Sequence, residues 1–129
     1  MTPRETEASR TEIDGRSSKA EQFQLAAQMV RDLDEGDGAL DDAVVTLCVH
    51  AGIAAADVIL MRTTGRYSKG ASHADAAGAL AKVAREPSRA LSTLLRMKTR
   101  AGYSAQPVQR AQVVAAERAM DLLIRAMRA

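Results

Sequence analysis

The run Ala51-Gly52-Ile53-Ala54-Ala55-Ala56-Asp57 limits what this chain can fold into more than any other stretch, because most of it is alanine and glycine. It lies inside a longer pattern, Val44, Leu47, Cys48, Ala51, Ala55, Val58 and Ile59, whose spacing predicts a helix. With so little bulk on it, neighbouring helices can approach closely. The run therefore predicts either the central helix of a core or a self-association seam at Ala51 and Ala55. The rest of the apolar set agrees with a helical fold. Aromatic residues make up 2% of the chain, as Phe23, Tyr67 and Tyr103, so the core must be built from Ala, Leu, Val, Ile and Met. Those residues suit close-packed helices, and no aromatic or β-branched run alternates as a strand requires. The expected class is all-α.

At 129 residues there is room for one domain with one core. Residues 1–18 are polar and charged and are read as a flexible tail. From Lys19 onward Phe23, Ala26, Ala27, Val30 and Leu33 form a helical face that should stop at Gly36-Asp37-Gly38. The second helix runs from Ala39–Asp42 to about Thr63, with acidic residues at its positive end. A basic, glycine-bearing link, Thr64–Ser72, precedes a third helix from His73 to about Ala84 with Ser72 as its cap. Pro87 and Ser88 should open a fourth helix, buried through Leu91, Leu94 and Leu95 and carrying Arg89, Arg96 and Arg100 on its other side. Gly102 ends it, Pro107 lies in the following turn, and Val113, Met120, Ile124 and Met127 form the inward stripe of a fifth helix. The expected architecture is an up-and-down bundle of about five helices over residues 19–129. No internal repeat or low-complexity tract interrupts it.

No apolar run is read as approaching the ~20 residues that span a bilayer, and the N-terminus lacks the apolar core of a secretion signal. A cytoplasmic protein without membrane contact is expected. The single cysteine, Cys48, sits at helical spacing among apolar residues and is read as a buried thiol. Charge is unevenly distributed. Residues 1–42 carry 5 Lys/Arg against 11 Asp/Glu, whereas residues 43–129 carry 13 against 5. A basic body behind an acidic N-terminal third suits an anionic partner such as RNA or a nucleotide, or is simply a set of solvated helix faces.

Phosphate-cradling glycine loops, zinc-type Cys/His spacings and acyl-transfer serine elbows are absent, so no cofactor and no metal are expected. With so few aromatics, a base-stacking surface would be very small. What remains is Arg66, Lys69 and His73 around the basic link. An arginine can bind phosphate through two hydrogen bonds and a histidine can move a proton near neutral pH, which suits RNA cleavage by 2′-hydroxyl attack. His73 could equally be a helix-terminus residue. His50 and Asp57 share a side of the second helix and form either a proton-transfer pair or a structural polar pair.

The segment Lys98-x-x-Ala101-Gly102-Tyr103, the Pro107-Val108 that follows and the Ala-rich helix carrying Glu117 resemble the C-terminal half of the small helical HEPN family, and the likeness extends over most of residues 19–129. The resemblance implies a homodimer, a nucleotidyltransferase-type protein partner in a toxin–antitoxin or defence system, and RNA cleavage in active members. The family's Arg-x(4–6)-His motif is matched in spacing by Arg66-x6-His73. At the position the resemblance implies, however, the chain has Lys98-x4-Tyr103 with Arg100 inside. Lysine can still hold phosphate, but a phenol is a poor general base at neutral pH. The alternative is that Tyr103 closes the turn with its ring packed on the bundle.

Three functions follow as expectations. The first is an RNA- or nucleotide-related binding module with a degenerate ribonuclease motif, using Lys69, Arg96, Lys98, Arg100 and Tyr103. The second is an active metal-independent endoribonuclease using Arg66 and His73, or Lys98, Arg100 and Tyr103, in a composite site across the dimer. The third is a non-catalytic, antitoxin-like or scaffold protein that docks another protein.

Overall fold

The computed structural model describes residues 5–7, 9–68 and 73–129. It is an all-α bundle of five helices: α1 (Arg10–Leu33), α2 (Asp41–Thr64), α3 (His73–Ala81), α4 (Arg85–Gly102) and α5 (Arg110–Arg128). Two three-residue strands, β1 (Glu5–Glu7) and β2 (Arg66–Ser68), form an antiparallel ladder with Thr6 opposite Tyr67. Lys69 and Ser72 lie outside the described residues.

α2 is the centre, touching α1, α3, α4 and α5. Its small residues are the reason. Ala51, Ala54, Ala55 and Ala56 are almost wholly buried, and Gly52 stands where Leu94 of α4 and Leu123 of α5 converge. The core-helix reading of this stretch therefore holds for the single chain. A self-association seam at Ala51 and Ala55 does not, because both are 0% exposed beneath their own neighbours. α2 is also long and apolar enough to cross a membrane by length and composition, contrary to the expectation that no run is; 78% of that window is buried inside the bundle, as in the core helix of a soluble protein.

Helix α1 starts at Arg10, not Lys19. Ser9 caps it, its Oγ accepting the Glu12 N–H at 3.1 Å, and Ile13 packs against the core while Arg16 ion-pairs with Asp57. Those three anchors order a stretch whose composition alone reads as tail. The helix ends where expected. The Asp34 carboxylate accepts the N–H groups of Gly36 and Gly38 at 2.9 and 3.3 Å, and both glycines take positive φ. These hydrogen bonds, chiefly that from Gly36, hold the Asp34 carboxyl below the usual carboxylate range. Arg31 and Arg110 stand 3.7 and 3.9 Å from its other oxygen and tie this turn to α5.

α2 ends at Gly65, at φ 73°, whose N–H donates to the Met61 carbonyl at 2.9 Å. α3 is shorter than expected: past Ala81 the N–H groups of Lys82 and Val83 bond the carbonyls three residues back, Ala79 and Leu80, at 3.3 and 3.1 Å, so the chain tightens into a turn instead of continuing the α-helix. α4 begins at Arg85, ahead of the expected cap at Ser88. Pro87 falls in the first turn, where its missing N–H breaks no helical bond, and the buried Ser88 hydroxyl donates to the Ala77 carbonyl at 2.8 Å, fastening α4 to α3. α5 opens with a reciprocal cap between Gln109 and Gln112.

Candidate functional site

Two places gather polar side chains in ways the core does not require. The first is the groove between α4 and α5. In α4, Leu91, Leu94 and Met97 point into the core, which leaves Arg89, Thr93, Arg96 and Arg100 in a line along the outer side. In α5, Val113, Met120 and Ile124 point inward, which leaves Ala111, Ala115, Arg118 and Leu122 facing that line. The groove between them has a floor of Ala90, Ala115, Ala119 and Leu122 at one end and of Met97, Ala111 and Ala115 at the other. The two ends hold about 360 and 460 Å³. Arg89, Arg96 and Arg118 stand on the rim, with Glu86 as the acidic group at one end. Arg96 bonds Thr93 at 3.4 Å, and Arg89 and Arg118 have no ion pair among the described residues.

The second place is the end of the bundle where α3 starts. Arg16 donates to Asp57 at 2.7 Å, and burial pushes the Asp57 carboxyl up while Arg16 and His73 pull it back. The His73 imidazole is pushed down by burial and next by the Lys98 charge, with Asp57 opposing. His50 lies close enough to add to that depression and stacks on Phe23, the ring centroids 5.4 Å apart. Chemically this is an imidazole that releases its proton more readily than usual, beside a lysine and a half-buried ion pair. It can accept a proton, and Lys98 can hold an anion.

The residues expected to form one site are dispersed. Arg96 borders the groove, but Lys98 faces the His73 cluster on the other side of α4. Arg100 donates to the Pro107 carbonyl at 3.0 Å and so fixes the α4–α5 turn. Tyr103 is 79% exposed; its ring does not pack on the bundle, because Gly102 ends α4 with the side chain directed outward. Arg66 is exposed on β2, and His73 opens α3. His50 and Asp57 do not pair with each other: Asp57 bonds Arg16 and His50 stacks on Phe23. Arg16 and the Ala115–Arg118–Leu122 side of the groove are functional candidates that the sequence reading passed over. Arg16 lay in the presumed tail, and the α5 residues become a wall only once α4 is set opposite them.

No protein-family model, no curated protein and no solved structure matches the chain.

Proposed function

We propose that this protein is a non-catalytic docking module whose working surface is the α4–α5 groove, and that its partner presents an acidic amphipathic helix. The observation that carries this reading is an apolar floor of small residues between arginines left without carboxylate partners among the described residues. Small floor residues admit the ridge of another helix, and rim guanidiniums meet carboxylates on its flanks. An RNA strand would use the arginines but gain nothing from the floor, and no aromatic side chain lines the groove for base stacking.

The test is a titration of the protein against two labelled probes. One is a designed helix with leucines four residues apart and flanking glutamates; the other is a single-stranded RNA. Binding of the helix, weakened at least ~10-fold by Arg96→Glu with Arg118→Glu, supports the docking reading. Binding of the RNA alone, with the same loss, replaces it with the RNA-binding expectation.

A second reading, metal-independent RNA cleavage, draws on His73, its imidazole pushed down by burial and by the charge of Lys98, the position where the HEPN resemblance implies an arginine. It predicts cleavage of RNA without added metal, lost in both His73→Ala and Lys98→Ala. Absence of cleavage by folded protein removes it.

A further inference from the structure

Helix α1 is apolar on two sides. Its inner side, Ala20, Phe23, Ala27 and Val30, packs on the bundle. Its outer side carries Leu25, Met29 and Leu33, which are 57%, 58% and 72% exposed and spaced four residues apart, so they form a single line along the helix. A surface helix of a monomer keeps its outward face polar, and three large apolar side chains in line mark a contact surface.

The chemistry beside this line indicates what covers it. Asp32 and Glu35 flank Leu33, are exposed, and have no ion pair among the described residues. An apolar ridge with unpaired acids at its end is the complement of an apolar groove with unpaired arginines on its rim. The lengths also agree. Leu25 to Leu33 spans about 12 Å of helix, and Arg89 to Arg96 spans about 10 Å. Within one molecule the two surfaces cannot meet, because α1 lies along one flank of α5, held by Gln24–Asp121, Arg31–Glu117 and Arg128–Glu21, while α4 lies along another.

We infer that the helix taken by the α4–α5 groove is α1 of a second copy of this chain; α1 is neutral as a whole, with four basic and four acidic residues, and it is Asp32 and Glu35 at the end of its ridge that meet the rim arginines. This rests on the docking reading and names its partner. Each copy then offers one ridge and one groove, so the contact is head-to-tail and leaves a free ridge at one end of a pair and a free groove at the other. Association continues beyond two copies unless the rotation closes a ring.

That asymmetry provides the test. Leu25→Glu with Met29→Glu removes the ridge, and Arg96→Glu with Arg118→Glu removes the groove; all four positions are exposed, and circular dichroism with thermal melting checks that each variant is folded. Sedimentation velocity is then run on wild type, each variant and their equimolar mixture. Wild type is expected to gain mass with concentration, each variant to run as a monomer, and the mixture to form a dimer and nothing larger, since each variant retains one intact half. A monomeric wild type overturns the inference, and so does a groove variant that still dimerises, because that result assigns a two-fold α1–α1 seam instead. The designed acidic helix is titrated alongside. If it binds while wild type stays monomeric, the inference fails and the docking reading stands; if it neither binds nor does the protein associate, both fail.

Discussion

Gly52 offers the most direct measurement of how tightly the centre of this bundle is packed. A methyl group at that position would sit 2.3 Å from Leu94 Cδ1 and 3.1 Å from Leu123 Cδ1. Both leucines are 0% exposed, so neither can swing into open space. Gly15, in α1, is also interior to a helix, but a methyl group there meets nothing within 4 Å. Replacing either glycine with alanine contributes the same helix preference, about 1 kcal/mol. Gly15→Ala should therefore stabilise by about that amount. Gly52→Ala adds an overpacking cost of about 1–3 kcal/mol and should end between neutral and about 2 kcal/mol less stable. The difference between the two variants isolates the steric term, and for a chain of this size it corresponds to a gap in Tm of roughly 3–15 °C. Thermal melts and urea titrations followed by circular dichroism measure it. A second background sharpens the result: Leu94→Ala alone costs about 2–5 kcal/mol, and within it Gly52→Ala should become stabilising because the obstructing methyl is gone. If Gly52→Ala raises Tm as much as Gly15→Ala does in the wild-type background, α2 does not approach α4 and α5 as closely as described, and the account of the small-residue run fails.

Three further outcomes follow from the same structure. Cys48 is 0% exposed and its thiol is pushed up to about 12, chiefly by burial, so alkylation by iodoacetamide at neutral pH should track global unfolding and accelerate in urea in parallel with loss of helix. The His73 imidazole should titrate below the unperturbed 6.5 in an NMR pH series, and Lys98→Met should raise it. Because the folded value is depressed, His73 contributes stability that is present above about 6.5 and lost as pH falls toward the folded value, so His73→Gln should flatten stability against pH in that window. Ala55→Leu should lower the urea midpoint of the dilute, monomeric protein, since the side chain enlarges into a filled core; a variant of unchanged stability that only associates less would restore the seam at Ala55.

The helical class was legible in the sequence because it depends on local properties. A core with one phenylalanine and many alanines has few ways to pack, and the glycines at 36, 38 and 65 stop helices whichever neighbours they acquire. The boundaries that moved were set by distant contacts. Arg10–Ser18 are helical because Ser9 caps them, Ile13 reaches the core and Arg16 pairs with a residue 41 positions away. Ser88 is not a cap, because its hydroxyl bonds a carbonyl eleven residues back, across the α3–α4 junction. Composition carries no trace of either partner.

The candidate sites were legible only as halves. The spacing of Arg89, Arg96 and Arg100 marks one face of α4, yet a face becomes a groove only when another helix supplies the opposite wall, and nothing in α4 names α5. Arg96 and Lys98, grouped as one anion-binding set when read along the chain, are two residues apart and hence about 200° apart around the helix. The fold then gives each its own environment, Arg96 above an apolar floor and Lys98 beside His73. This separation bears on function directly. A ligand that engages the groove need not touch the imidazole cluster, so docking and proton chemistry are independently removable. Arg96→Glu with Arg118→Glu should abolish docking while leaving the His73 titration where it was, and Lys98→Met should shift that titration while leaving docking intact. A protein in which either change disturbed both properties would refute this separation and call for a single composite site.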